Sequence, residues 1–236
     1  MHGLVIFDVD GTLSLTSGVD DDCWSEAARD VLGVSGMSTD WSTYSHSTDE
    51  AIASDLIRDR TDLPRTDETV HRVRDVFIAR IRSALAGDSS LFRPVPGSPG
   101  VFDLLREQGW ASAIATGGWR TTACLKMDAA GVRHAGIPAA HADDAHPREA
   151  IVSIAAQRAV DRHGIAFDRL VYVGDGIWDV RAARHLGIGF VGIGEGDREI
   201  RLREEGAEIV LPDYEDRGAF VQAILSQARG PLDPPA

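Results

Sequence analysis

Several apolar segments of this chain end in residues that can do chemistry. Leu4-Val5-Ile6-Phe7 runs into Asp8-Val9-Asp10-Gly11-Thr12, and Leu170-Val171-Tyr172-Val173 runs into Gly174-Asp175-Gly176-Ile177-Trp178-Asp179. Between them, segment 111–115 ends at Thr116-Gly117-Gly118. Three or more carboxylates converging on one sheet edge repel one another unless a cation stands among them. Hard oxygen donors of this type suit Mg²⁺, which keeps some waters and takes a substrate phosphate oxygen. Each piece alone has a plain explanation, since Asp-Gly is a common turn and Thr-Gly-Gly a common helix entry. In order, each at a strand end, they point to a site.

Placing these residues together requires strands whose carboxyl ends share an edge. The apolar runs predict strands at 4–7, 111–115, 137–141, 170–173, 189–193 and 209–211. Helical patterns fall near 99–108, 119–130, 148–163, 177–186, 197–205 and 216–227. This alternation implies an α/β fold, a Rossmann-like doubly wound parallel sheet with helices on both faces. Such sheets bind ligands at the carboxyl ends of strands. After the first strand the pattern turns helical. Trp24, Ala27, Ala28, Val31 and Leu32 recur at helix spacing until Gly33. Thr48-Asp49 opens a second helix before Ile52, Leu56 and Ile57, and Thr66-Asp67 a third carrying Val70, Val73, Phe77, Ile81 and Leu85. The expected division is a core of 1–16 and 92–228, an inserted α-helical unit at 17–91, and a flexible Pro-rich tail at 229–236. Turn-rich stretches at 14–18 and 94–100 would be its hinges.

Composition limits the partners. The formal charge of −13 over 236 residues argues against nucleic acid, whose phosphates demand basic stripes. No apolar run approaches the ~20 residues of a membrane span, and the amino-terminal residues do not read as a signal peptide. Cys23 and Cys124 stand apart in helical patterns, as buried thiols of a reducing cytoplasm would. A cytoplasmic monomer or weak dimer acting on a small phosphorylated metabolite is expected. Lys126 is the chain's single lysine; all other fixed positive charge is arginine.

The motifs, taken together, are similar to those of the haloacid dehalogenase-like superfamily, specifically its phosphoglycolate phosphatase-like phosphatases with an α-helical cap. The resemblance runs from Leu4 to about Phe220. It implies that Asp8 is a nucleophile and metal ligand, and that Asp10 is a general acid and base whose main-chain carbonyl also binds metal. Thr116, with the backbone of Gly117 and Gly118, would hold the phosphoryl oxygens. Asp175 and Asp179 would complete a Mg²⁺ site.

One motif departs from the family. Its usual lysine between the second and fourth motifs is missing, and Lys126, ten residues past Thr116, reads as too close to serve. Arg148, opening the helix after Ala142-Asp143-Asp144-Ala145-His146-Pro147, is the expected cation, with His146 as the alternative. An arginine there stays charged at any working pH.

Other signals carry less weight. Gly187-Ile188-Gly189-Phe190-Val191-Gly192 matches a dinucleotide fingerprint but runs from helix to strand, the reverse of the required context. His141, Asp143, Asp144 and His146 read as loop and cap residues rather than a metal cluster. Trp119 and Trp178 could line a pocket or pack beneath it. His46 and Thr48, in the helical unit, could read a leaving group or close a loop. Asp10 argues against a dehalogenase. A phosphomutase of the β-phosphoglucomutase type and a catalytically weak phosphate-binding regulator remain as alternatives.

Overall fold

The computed structural model describes residues 2–230. β1 (Gly3–Phe7) is buried at every position, which is why it reads as an unbroken apolar run. A short β2 (Ser14–Leu15) leads into α1 (Ser17–Leu32), α2 (Asp49–Arg60) and α3 (Asp67–Gly87), and β3 (Arg93–Pro94) marks the return. Then follow α4 (Val101–Glu107), β4 (Trp110–Ala115), α5 (Arg120–Ala129), β5 (Ala139–Ala140) and α6 (Arg148–His163). The last elements are β6 (Arg169–Gly174), α7 (Ile177–His185), β7 (Gly189–Ile193), α8 (Asp197–Glu205), β8 (Val210–Leu211) and α9 (Arg217–Gln227).

Six parallel strands form one sheet in the order β5-β4-β1-β6-β7-β8. The chain builds outward from β1 to one side and then to the other, so a crevice opens beside its carboxyl end. Successive side chains of β1 serve opposite faces. Leu4 and Ile6 pack with Ile151, Val152 and Ala155 of α6 and Val180 of α7. Val5 and Phe7 pack with Phe102 and Leu105 of α4, Met127 of α5 and Phe220 of α9. The glycine-rich run at 187–192 leaves α7 through Gly187, at φ 67°, and enters β7.

The helical unit has its own core. Trp24 and Ala27 of α1, Leu56 and Ile57 of α2, and Val73 and Phe77 of α3 pack together. Trp119 and Ala142, from loops of the sheet domain, belong to the same cluster.

Four details differ from expectation. The strand expected at 137–141 shrinks to Ala139–Ala140, because Pro138 has no N–H to donate, although its carbonyl still accepts from Ile114. The two linkers pair as an antiparallel ribbon, Ser14 opposite Pro94 and Leu15 opposite Arg93. Thr48 holds the N-cap position of α2, but its hydroxyl makes no capping bond and donates instead to the carbonyl of His146 at 3.0 Å. Arg229, assigned to the flexible tail, exchanges backbone hydrogen bonds with Leu170. The rest of that tail, 231–236, lies outside the described residues.

Candidate active site

The end of β1 places Asp8 beside the end of β6, its N–H donating to the carbonyl of Val173 at 2.9 Å. Gly11 turns the chain back at φ 74°, and a Cβ there would fall 1.9 Å from Asp175 Oδ2. Only glycine lets these two acidic strand ends approach so closely. Asp179, in the first turn of α7, is held by two donors. Its Oδ1 accepts from the Tyr172 hydroxyl at 2.8 Å and its Oδ2 from the Gly176 N–H at 3.0 Å. Asp8, Asp175 and Asp179 each offer an oxygen, all within 4.8 Å of one another.

The neighbouring strand end supplies neutral and cationic groups. Thr116, buried at the end of β4, accepts the Gly118 N–H on its hydroxyl oxygen. Arg148 opens α6 and is 7% exposed. Its Nη1 donates to Asp8 Oδ1 at 2.9 Å, its Nε lies 3.6 Å from Asp179 Oδ1, and its Nη2 donates to the Ser47 carbonyl at 3.0 Å. His146, the alternative cation, is exposed.

Burial pushes the Asp8 carboxyl well above the usual carboxylate range; Arg148 opposes this, while Asp179, Asp175 and Asp10 add to it. Burial also raises Asp175 to about 7, against the nearby Arg198 guanidinium at 3.0 Å and with the help of Asp179 and Asp10. Three hard oxygen donors that resist ionising together are a donor set suited to a divalent cation. The Asp10 carboxylate stands apart from this group.

Asp10 is instead held from the opposite side. Its Oδ1 accepts from the Thr16 hydroxyl at 2.6 Å and lies 2.9 Å from Lys126 Nζ. Lys126 is 1% exposed and its Nζ lies 2.5 Å from Asp20 Oδ1 as well. Burial works against the ammonium, but Asp10, Asp20 and Asp49 more than reverse this and keep it charged.

The helical unit closes over these groups. A cavity of about 70 Å³ is lined by Asp8, Asp10, Thr116 and Arg148 from one side and by Trp41 and Asp49 from the other. A wider cleft of about 500 Å³ shares Asp10, Trp41 and Trp178 with it. The start of α2 is fastened to the loop after β4. The Asp49 N–H donates to the Gly117 carbonyl at 2.8 Å, and its carboxylate accepts from the Trp119 N–H at 2.8 Å and Trp24 Nε1 at 2.9 Å. Trp119 Nε1 donates to Glu50 at 2.9 Å. A Cβ on Gly117 would lie 2.5 Å from the Ser47 carbonyl and 2.7 Å from Arg148 Nη2.

The sequence model of the haloacid dehalogenase-like hydrolases matches residues 2–187. This chain belongs to that family. Among curated proteins, none matches the sequence. The fold of this haloacid dehalogenase-like hydrolase is shared by several solved structures. A hydrolase from Pseudomonas syringae superposes with a TM-score of 0.71 at 22% identity, covering 94% of this chain and 98% of the other. CbbY from Rhodobacter sphaeroides, solved with phosphate, gives 0.70 at 18% identity over 92% and 97%. A predicted phosphoglycolate phosphatase from Haemophilus somnus gives 0.63 at 19% identity over 94% and 98%.

Within this haloacid dehalogenase-like fold, the two tryptophans left open by the sequence divide. Trp119 is buried in the core of the helical unit, whereas Trp178 lines the cavity. Among the loop acids, Asp144 receives a two-nitrogen clasp from Arg158 at 2.8 and 2.7 Å and accepts the His141 N–H. Sequence reasoning set Lys126 aside and assigned neither Asp20 nor Asp49 to the site. A usable signal was present: a lone lysine amid the apolar face of a helix needs carboxylate partners if it is buried.

Proposed function

We propose that this protein is a phosphatase that hydrolyses a small-molecule phosphate monoester, with Asp8 as nucleophile. The observation that carries this reading is the Arg148 guanidinium, 2.9 Å from Asp8 at the strand end where Thr116, Gly117 and Gly118 present hydroxyl and backbone groups. A phosphate dianion repels an approaching carboxylate, so fixed positive charge must sit where both meet. Arg148 supplies it and holds the Asp8 oxygen in place. Asp8 attacks phosphorus and an aspartyl-phosphate forms as the ester P–O bond breaks. Asp10 gives a proton to the departing oxygen, then takes one from the water that hydrolyses the aspartyl-phosphate, restoring both acids. Mg²⁺ held by Asp8, Asp175, Asp179 and the Asp10 carbonyl would add positive charge against the phosphoryl oxygens.

Turnover of an aryl phosphate, with and without added Mg²⁺, tests this. Asp8→Asn is expected to fold normally and to lose activity by orders of magnitude. Arg148→Lys should keep part of the rate and Arg148→Ala very little. An Asp8→Asn variant retaining more than a few per cent of the rate removes Asp8 as nucleophile. Slow ester hydrolysis combined with bisphosphate-primed interconversion of sugar phosphates would make the protein a mutase instead.

A further inference from the structure

The single lysine belongs to no step described so far, yet three elements meet at its nitrogen. Lys126 projects from α5, and its ammonium is paired with Asp10 of the loop after β1 and with Asp20 of α1. The ring of Phe77, from α3, lies 5.8 Å away, on the third side. A buried ammonium is costly unless it is paired, and here one partner belongs to the sheet domain and the other to the helical unit. On Asp10 the effect falls on one oxygen. Oδ1 takes the Thr16 hydroxyl and the Lys126 ammonium together. Oδ2 faces the loop after β4, where a Cβ on Gly118 would lie 3.7 Å from it.

We propose that Lys126 is a positioning residue: it fixes Asp10 Oδ1 so that Oδ2 faces the leaving oxygen, and it does so only with the helical unit seated. This inference rests on the phosphatase reading, in which Asp10 Oδ2 gives its proton to the ester oxygen as the P–O bond breaks. Lys126 itself touches neither Asp8 nor the phosphoryl loop. No other lysine exists, and the neighbouring guanidinium groups are engaged elsewhere, Arg148 by Asp8 and Ser47 and Arg198 by Asp175.

The dependence on leaving group separates positioning from simple support. An alkyl phosphate needs its departing oxygen protonated, whereas 4-nitrophenyl phosphate releases a stable phenolate. Lys126→Met is expected to lower kcat/KM about a hundredfold on the alkyl ester, the scale of general-acid catalysis, and less than about tenfold on the nitrophenyl ester. Lys126→Met combined with Asp20→Asn removes one charge of each sign, keeps the site balanced, and should show the same asymmetry. Equal losses on both esters, or none, overturn the proposal.

A second measurement needs no turnover. In protein labelled with ¹⁵N-lysine the ammonium gives one resonance, expected to exchange slowly and to shift in both Asp10→Asn and Asp20→Asn. A freely exchanging signal, indifferent to both substitutions, overturns the placement of Lys126. Wild-type protein inactive on both esters would count against the phosphatase reading, while the resonance would still judge the lysine.

Discussion

At the scale of single residues, His141 shows what burial does to a titratable side chain. It follows β5, is 2% exposed, and among the described residues neither ring nitrogen has a hydrogen-bond partner. Burial, aided by the Arg120 charge, lowers its pKa to about 4, against 6.5 for a free histidine. The ring is therefore neutral in the folded protein where the unfolded chain already binds a proton. Its contribution to stability is complete above pH 6.5 and falls away as the pH drops toward 4. Between pH 7.5 and 5 the loss should be about 2 kcal/mol. Urea denaturation of the wild type and of His141→Leu at both pH values checks this, and the variant should lose correspondingly less. The same scale marks where the sequence could mislead. Arg148 was legible because it opens a helix after a strand and a loop. Lys126 was set aside as too close to Thr116, and it pairs with Asp10 and Asp20 rather than Asp8. The reach to Asp10 was missed because six residues along α5 amount to about 9 Å of rise, a distance that a lysine stem leaning back along its helix largely recovers. Separation along the chain is a poor guide to reach for a long side chain.

At the scale of elements, the start of α2 is fastened to the loop after β4 where the helical unit lies over the site. Gly117 lets the two backbones touch, and Gly117→Ala would drive a methyl into the Ser47 carbonyl and the Arg148 guanidinium. The expected result is a folded protein in which α2 cannot seat: KM rises and kcat falls together, by about tenfold or more in kcat/KM, since closing segments govern both. Unchanged kinetics would show that this contact does not hold the closed arrangement. The bounds of α6 and α9 were readable to within a residue or so. The pairing of β2 with β3 was hidden, since two residues carry no period, and β5 was overestimated because an edge strand tolerates a proline that interrupts its hydrogen bonds.

At the scale of the whole molecule, the alternation of strands and helices disclosed an α/β sheet with a helical insertion, but not how firmly the two parts are joined. Trp119 leaves the sheet domain and stacks on Trp24 at 5.4 Å and 23°, with Phe77 at 5.9 Å. No local pattern marks a tryptophan after Gly-Gly as belonging to another unit's core. The shared cluster predicts one cooperative unfolding transition. Heat denaturation followed by tryptophan fluorescence and by far-ultraviolet circular dichroism should give coincident curves. An earlier fluorescence transition, with the sheet still folded, would show that the insertion melts by itself.

The ribbon of β2 and β3 has a consequence for descent as well as for mechanics. Because the chain leaves the sheet domain and re-enters it through two directly paired strands, the two ends of the insertion sit side by side. A segment bounded this way can be exchanged for another of different size without altering the path of the host chain, much as a cassette fits one slot. Evolution could then vary the roof of such a site while leaving its floor untouched. Only the fastenings that reach through the seam, Trp119 and Lys126 among them, would tie a given roof to its own floor.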